Sequence, residues 1–344
     1  MKTAPLIALL LLGSATAALS GCGGGRDRGV ELRIPKGAGG VGFLPLLVME
    51  EERLIEQHAA AAGIADVRVR WIEIGGPAVV NDALLSGSAD FIAAGPPGFL
   101  TLWDRTTDSV RVQGVAAMTA LPMYLNTTAP HLRTLDDLTS QDKIGVTAPK
   151  VSIPAILMQM YARDRYGPDQ TTRFDRYTVT MTHPDGVIAL LSGSGAITAH
   201  YTSPPFHQRE RKDPRVRTIQ TSTDVMGGST TFTMMSTTAA FREAQPALYA
   251  AVLAALDDAN ARIVADPRAA AELLLASTGG ATGGDGFTVD ELADVLTDPD
   301  VTFTTTPQNV MKYATFMHDI GSIQHRPDSW QNLFFPEIHD VPGS

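Results

Sequence analysis

From residue 31 onward the chain alternates short apolar runs of strand length, turns marked by Gly or Pro, and longer helical runs. This alternation limits the possible folds more than any other feature of the sequence. Residues 31–34 read as a strand, followed by a glycine turn and a helical run over about 45–62. Residues 67–74 alternate apolar and polar side chains, as a half-buried strand does. Gly75-Gly76-Pro77 opens the next helix, with Pro77 suited to the first helical position. Residues 89–93 read as a short buried strand that ends in Ala94-Gly95-Pro96-Pro97-Gly98. Units of this kind predict an α/β fold with a largely parallel sheet.

A second series begins near Lys143. Strands are expected at 143–147, 177–181 and 196–199. Ser152-Ile153-Pro154 starts a helix to about Tyr166, and Pro184-Asp185-Gly186 opens one that ends at Leu191. The third strand breaks at Thr202-Ser203-Pro204-Pro205. After Met226-Gly227-Gly228, a strand over 231–236 precedes long helices from about Phe241, with further helical packing over 289–296 and 307–320. Residues 279–286, rich in glycine, read as a surface loop. The two series show no close internal repeat.

The first residues read as an export signal. Lys2 gives a positive start, residues 5–12 are apolar, and small residues lead to Leu19-Ser20-Gly21-Cys22. The apolar run is too short to span a bilayer. The Leu-Ser-Gly-Cys box resembles the cleavage site of bacterial lipoproteins, which implies a lipid on Cys22, the chain's single cysteine. Residues 1–21 are then a signal peptide, and 22–28 a glycine-rich tether. Cleavage leaves about 320 residues, enough for two lobes. A formal net charge of -10 argues against nucleic acid as a partner, since phosphate backbones need a basic face. It leaves room for a small anion held by backbone N–H groups. No disulfide framework or thiolate metal site is available, and the eight histidines show no close ligand pair, so no metal and no cofactor are expected.

Gly37-Ala38-Gly39-Gly40-Val41-Gly42 matches G-x-G-x-x-G between a strand and a helix. A dinucleotide-binding turn would need an acidic residue about 20 positions farther on. Glu73 lies too far along, and an exported protein sits where nicotinamide cofactors are scarce. A turn that merely reverses the chain is the plain alternative. The favoured reading is a loop that brings backbone close to a ligand at a helix start.

Six turns share this chemistry: 37–45, 75–77, 95–99, 150–154, 182–186 and 202–206. Ligands of open α/β sheets bind at the carboxyl ends of strands, so these turns would line one crevice. The candidate ligand-binding residues are Gly39, Phe43, Gly76, Pro77, Pro97, Phe99, Ser152, His183, His200, Tyr201, Ser203 and Gly227. His183 and His200 are the sharpest polar candidates, and turn-capping is the competing role for each. Asp90 reads as structural, and Met226, Met234 and Met235 as core. No nucleophile–base pair stands at a convincing spacing.

Several segments carry a family resemblance. They are Gly42-Phe43-Leu44-Pro45, residues 81–92 with Ala89-Asp90-Phe91, His183-Pro184-Asp185, residues 189–193, His200-Tyr201-Thr202-Ser203-Pro204-Pro205-Phe206, residues 224–228 and residues 305–312. With these the mature chain resembles the extracytoplasmic solute-binding proteins of ABC importers of the nitrate, sulfonate and taurine type. That family also includes binders of thiamine-precursor pyrimidines. The resemblance implies a two-lobed, type II periplasmic-binding-protein-like α/β fold, with two Rossmann-like lobes joined by hinge crossovers near 121–125 and 225–228. Lobe 1 is expected at 29–123 plus 228–344, and lobe 2 at 124–227. It further implies a monomeric, non-enzymatic receptor that hands a small solute to permease and ATPase subunits. The rival expectations are an enzyme on the same fold and a ligand-sensing ectodomain.

Overall fold

The computed structural model describes residues 29–37, 39–74, 77–277 and 286–344. Cys22, Gly76 and nearly all of the 279–286 loop therefore lie outside the described residues. Strand β1 (Glu31–Pro35) buries Leu32 and Ile34, the period-two pattern of a half-buried strand, and pairs in parallel with β2 (Arg68–Ile72). Helices α1 (Leu44–Glu51) and α2 (Leu54–Ala61) connect them. One helix was expected there. Arg53 breaks it by adopting φ 52° and ψ 43°, a left-handed conformation that no helix can propagate through. Helix α3 (Pro77–Leu85), β3 (Ile92–Ala94), α4 (Pro96–Thr106) and β4 (Val112–Ala120) follow. Asp90 ties β1 to the approach of β3: it accepts the Arg33 backbone N–H at 2.8 Å and the guanidinium at 2.8 and 3.0 Å.

The chain then builds a second sheet from β5 (Tyr124–Thr127), β6 (Ile144–Val146), β7 (Thr178–Thr180), β8 (Ala199–Thr202) and β9 (Arg217–Thr221), in the order β7-β6-β8-β5-β9. Between and after these strands come α5 (Ile153–Tyr166), α6 (His183–Leu191), α7 (Phe206–Arg211) and α8 (Ser222–Met226). Strand β10 (Thr231–Thr238) returns to the first sheet and lies between β3 and β4. Helices α9 (Ala239–Ala244), α10 (Pro246–Ala265), α11 (Pro267–Ser277) and α12 (Val289–Leu296) pack beyond it. Strand β11 (Thr302–Phe303) completes the order β11-β4-β10-β3, and α13 (Val310–Asp319) follows.

The expectation of a largely parallel sheet needs correction. Only β1–β2, β6–β7 and β6–β8 pair in parallel among the described residues. Strand β10 runs antiparallel to both β3 and β4, as β5 does to β8 and β9. The reason is the exchange of strands between sheets. A parallel neighbour needs a crossover connection within one sheet. Strands β5 and β10 instead each arrive directly from the other sheet, through 121–123 and 227–230. The core of the first sheet is apolar and aromatic, with Phe91 against Phe241 at 4.8 Å and Phe99 against Phe334 at 6.0 Å. Met226, Met234 and Met235 are buried. Among the described residues no helix is long and apolar enough to cross a membrane.

Candidate functional site

Because β6, β7 and β8 are mutually parallel, their carboxyl ends lie along one edge of the second sheet and feed the turns into α5, α6 and α7. The turns after β1, in the two-stranded sheet with β2, and after β3, in the four-stranded sheet, come against that edge. A Cβ placed on Gly40 would lie 3.3 Å from the Phe206 ring and 3.8 Å from the Pro204 carbonyl oxygen. Gly40 also has φ 77°, so both its backbone and its neighbours favour glycine. A Cβ on Gly95 would lie 3.0 Å from Ile153 Cδ1 and 3.3 Å from the Phe232 carbonyl oxygen. The start of α4, from the first sheet, therefore abuts the start of α5, from the second. Neither start has a side-chain cap, and both carry Pro within the first two positions. Pro96, Pro97 and Pro154 carry no N–H, so the first turns offer the N–H groups of Gly98 in α4 and of Ile153 and Ala155 in α5, which have no carbonyl partner within the helix and give each end a partial positive charge.

A polar chain runs inward from the same edge. His183, the first residue of α6, stacks on Phe206 with ring centroids 5.4 Å apart. Its Nδ1 lies 3.4 Å from His200 Nε2 and 3.4 Å from Thr202 Oγ1. His200 Nδ1 stands 2.5 Å from Glu210 Oε1, and these two side chains are only 1% and 0% exposed. Asn126 Nδ2 donates to Glu210 Oε2 at 2.7 Å and to His207 Nδ1 at 3.1 Å. The Thr218 hydroxyl donates to Asn126 Oδ1 at 2.7 Å, so every polar atom of Asn126 is engaged. Burial, with His200 beside it, pushes the His183 imidazole down to about 3. Burial and the nearby Arg211 push His207 down to about 4. Both rings are thus neutral near neutral pH, and His207, accepting at Nδ1, carries its proton on Nε2.

The candidate residues separate into three groups. Gly39, Ser152, His183 and Ser203 lie in turns of this junction. Gly39 is exposed with φ 74° and open space at its Cβ position. Ser152 holds the N-cap position of α5, and its hydroxyl donates to the Ala148 carbonyl at 2.5 Å rather than to the helix. Phe43 is half-buried, and its ring occupies the place a Gly37 Cβ would take. Pro77 opens α3, and Pro97 is buried in the first turn of α4. A second group points inward. Phe99 is fully buried on Phe334, and the buried Tyr201 hydroxyl donates to Gln220 Oε1 at 3.2 Å. His200 is buried, with His183 Nδ1 3.4 Å from its Nε2 and Gly186 packed against its ring. Gly227 stands apart, ending α8 with φ 72° where the chain leaves the second sheet. Sequence reasoning missed Glu210, Asn126, Ile153 and Phe232. The first two sit within polar surroundings, and Phe232 shows itself only as the ring that excludes a side chain at Gly42. Among the described residues no group of three or more His, Cys, Asp or Glu side chains could hold a metal ion.

No protein-family model matches the sequence, and no curated protein matches it. Solved structures do. The periplasmic aliphatic sulphonate binding protein SsuA of Escherichia coli superposes with a TM-score of 0.61 at 16% identity, covering 89% of this chain and 92% of its own. A Candida albicans protein described as having the generic periplasmic binding protein fold gives 0.62 at 12% identity, covering 87% and 92%. The chain has the periplasmic-binding-protein fold. The nitrate-binding protein NrtA of Synechocystis PCC 6803 gives 0.62 at 13% identity, covering 88% of this chain and 84% of its own. The junction described above lies between the five-stranded sheet and the turns that follow β1 of the two-stranded sheet and β3 of the four-stranded sheet.

Proposed function

We propose that the chain is the extracytoplasmic solute-binding component of an ABC importer, anchored by a lipid on Cys22. In this reading it is a monomer and has no catalytic task. It captures a small anion of nitrate, sulfonate or taurine type between lobe 1 (29–123 plus 228–344) and lobe 2 (124–227). The closed form then docks on the permease and its ATPase subunits. The observation that carries this reading is the meeting of two uncapped helix starts, one from each lobe, at Gly95 and Ile153. The N–H groups left there, of Gly98, Ile153 and Ala155, with the helix dipoles behind them, attract an oxyanion with no cationic side chain. The sulphonate and nitrate named for two structures of the same fold are ligands of that chemistry.

Gly39, Phe43, Gly76, Pro77, Pro97, Ser152, His183 and Ser203 would line the bound solute. Gly227 would serve the hinge, His200 would orient His183, and Phe99 and Tyr201 would support the walls from within. The flat Phe206–His183 stack favours a second reading, a ring-bearing ligand such as a thiamine-precursor pyrimidine. Titration calorimetry with nitrate, alkanesulfonates, taurine and aminopyrimidines tests both readings. Saturable binding of one class, weakened about tenfold by His183→Ala, is the expected result. Failure of every probe, together with a native mass spectrum showing no co-purified small molecule, would overturn the proposal.

A further inference from the structure

A second concave site lies on the second lobe, along the edge strand β9 and beside the short helix α7. It encloses about 650 Å³ and is lined by Arg133, Arg211 and Arg217 with Tyr124, His207, Thr218, Ile219 and Thr221. No carboxylate is among its lining residues, in a chain whose net charge is -10. Elsewhere arginines on this surface pair with acids, as Arg215 does with Asp213 and Arg163 with Asp319. Among the described residues none of the three groove arginines makes an ion pair within 4 Å, although the charge of Arg133 acts on the nearby Asp137 carboxylate, which accepts the Arg133 backbone N–H at 2.8 Å.

Two of them are nonetheless held in place. Arg217 Nη2 donates to the Ala129 and Leu132 carbonyls at 2.7 and 3.1 Å, and Arg211 Nη1 donates to the Val216 carbonyl at 2.6 Å. Carbonyl partners orient a guanidinium without neutralising it, so the charge stays available to a ligand. The groove's inner wall carries the same potential: Arg211 helps keep the neighbouring His207 uncharged. Tyr124 covers that ring at 3.6 Å, forming an aromatic floor, and Thr218 and Thr221 add hydroxyls. Asp298 and Asp300 act on the Tyr124 hydroxyl from the first lobe and stand outside the lining.

We propose that this groove is a binding site for a phosphate-type oxyanion, separate from the crevice between the lobes. Preorganised guanidinium groups and hydroxyls match the several acceptor oxygens of a phosphate. The oxyanion comes either from a free phosphate or from the headgroup of an anionic lipid, and the two sources are separable. Calorimetry with inorganic phosphate and pyrophosphate, and flotation with phosphatidylglycerol against phosphatidylcholine vesicles, are run on the purified protein. The same measurements are made on Arg133→Gln, Arg211→Gln and Arg217→Gln. Arg326→Gln removes the same charge from an exposed position away from the groove. Arg133 is exposed, so its replacement tests the site without risk to folding.

The expected result is saturable binding of phosphate or pyrophosphate, or selective flotation with phosphatidylglycerol. The groove variants weaken it about tenfold or more, and Arg326→Gln leaves it within twofold. Binding in solution names the free anion as the source, and flotation alone names the lipid. The proposal is overturned if neither probe binds, or if Arg326→Gln weakens binding as much as the groove variants do.

Discussion

Across the middle of the first lobe, β4 and β10 place Thr119 opposite Thr233; across the second, β5 and β8 place Asn126 opposite His200. The threonine hydroxyls lie 2.7 Å apart, and both reach the Gly42 carbonyl, at 3.3 and 2.6 Å. That cluster is neutral and closes on itself. The Asn126–His200 pair instead leads to Glu210, a carboxylate with no exposure at all. Among the described residues, the fully buried carboxyl and imidazole side chains, Asp142, His200 and Glu210, all belong to residues 124–227. At its centre the first lobe thus holds β4 and β10 with apolar packing and uncharged hydrogen bonds, its Arg33–Asp90 ion pair lying nearer the surface. The other depends on a buried carboxyl group whose hydrogen-bond partners must all be present.

The largest test of this contrast is Glu210→Ala. It strands His200 and Asn126 without their shared acceptor, and loss of one member of a buried pair costs about 3–5 kcal/mol. Urea unfolding should show that loss, and a cost below about 1 kcal/mol would remove the distinction between the lobes. Acid gives the next effect. His183 and His207 are held down to about 3 and about 4 by burial, whereas unfolded histidine takes its proton near 6.5. The unfolded chain therefore binds more protons in this window. The stabilisation is complete above about pH 6.5 and is lost as pH falls toward 4 and then 3.

All three tryptophans, Trp71, Trp103 and Trp330, lie in the first lobe. Between pH 6.5 and 4, far-ultraviolet circular dichroism should therefore lose signal before tryptophan fluorescence shifts. His183→Gln and His207→Gln should narrow that gap. Coincident transitions would show that the lobes share one fate. The matching change in the first lobe is smaller. Thr233→Val removes a hydrogen bond to Gly42 but leaves Thr119 to serve that carbonyl. A loss of about 1 kcal/mol, the same at pH 7 and pH 5, is expected in urea titrations.

Much of the alternation was legible in the sequence because it is local. The turns at Gly95, Ser152 and Thr182 announce helix starts by residue type, and the structure opens α4, α5 and α6 there. Strand β4 was not legible. Its residues, Val112-Gln113-Gly114-Val115-Ala116-Ala117-Met118-Thr119-Ala120, have little β-propensity, and burial on nearly all sides erases any alternation. Glu210 was hidden for the opposite reason. It sits in His207-Gln208-Arg209-Glu210-Arg211-Lys212, a run that looks solvated, and only His200 and Asn126 from distant strands explain its burial. The glycine motif was legible as a close approach but not as to what approaches. The space at Gly37 and Gly42 is taken by Phe43 and Phe232, and only Gly40 meets the other lobe.

The smallest effects belong to the surfaces where the lobes meet. Lys212 of the second lobe reaches Glu291 of the first at 2.7 Å and lies 4.8 Å above the Phe287 ring. Arg163 reaches Asp319 at 3.1 Å and lies 5.7 Å from the Phe316 ring centre. Exposed pairs of this sort contribute a few tenths of a kcal/mol, so Lys212→Ala and Arg163→Ala should barely move the unfolding midpoint. In the proposed two-lobed reading their partners stand on opposite lobes, however, so the whole of that small energy would act on the open–closed balance. X-ray scattering should show a larger radius of gyration for the double variant than for the parent at low salt. The difference should fade near 1 M salt, where the Debye length falls to about 3 Å. A charge-swapped Lys212→Glu, Glu291→Lys protein should return to the parent value. If it stays expanded, the pairing does not hold the lobes together, and the contrast between them lies wholly in their interiors.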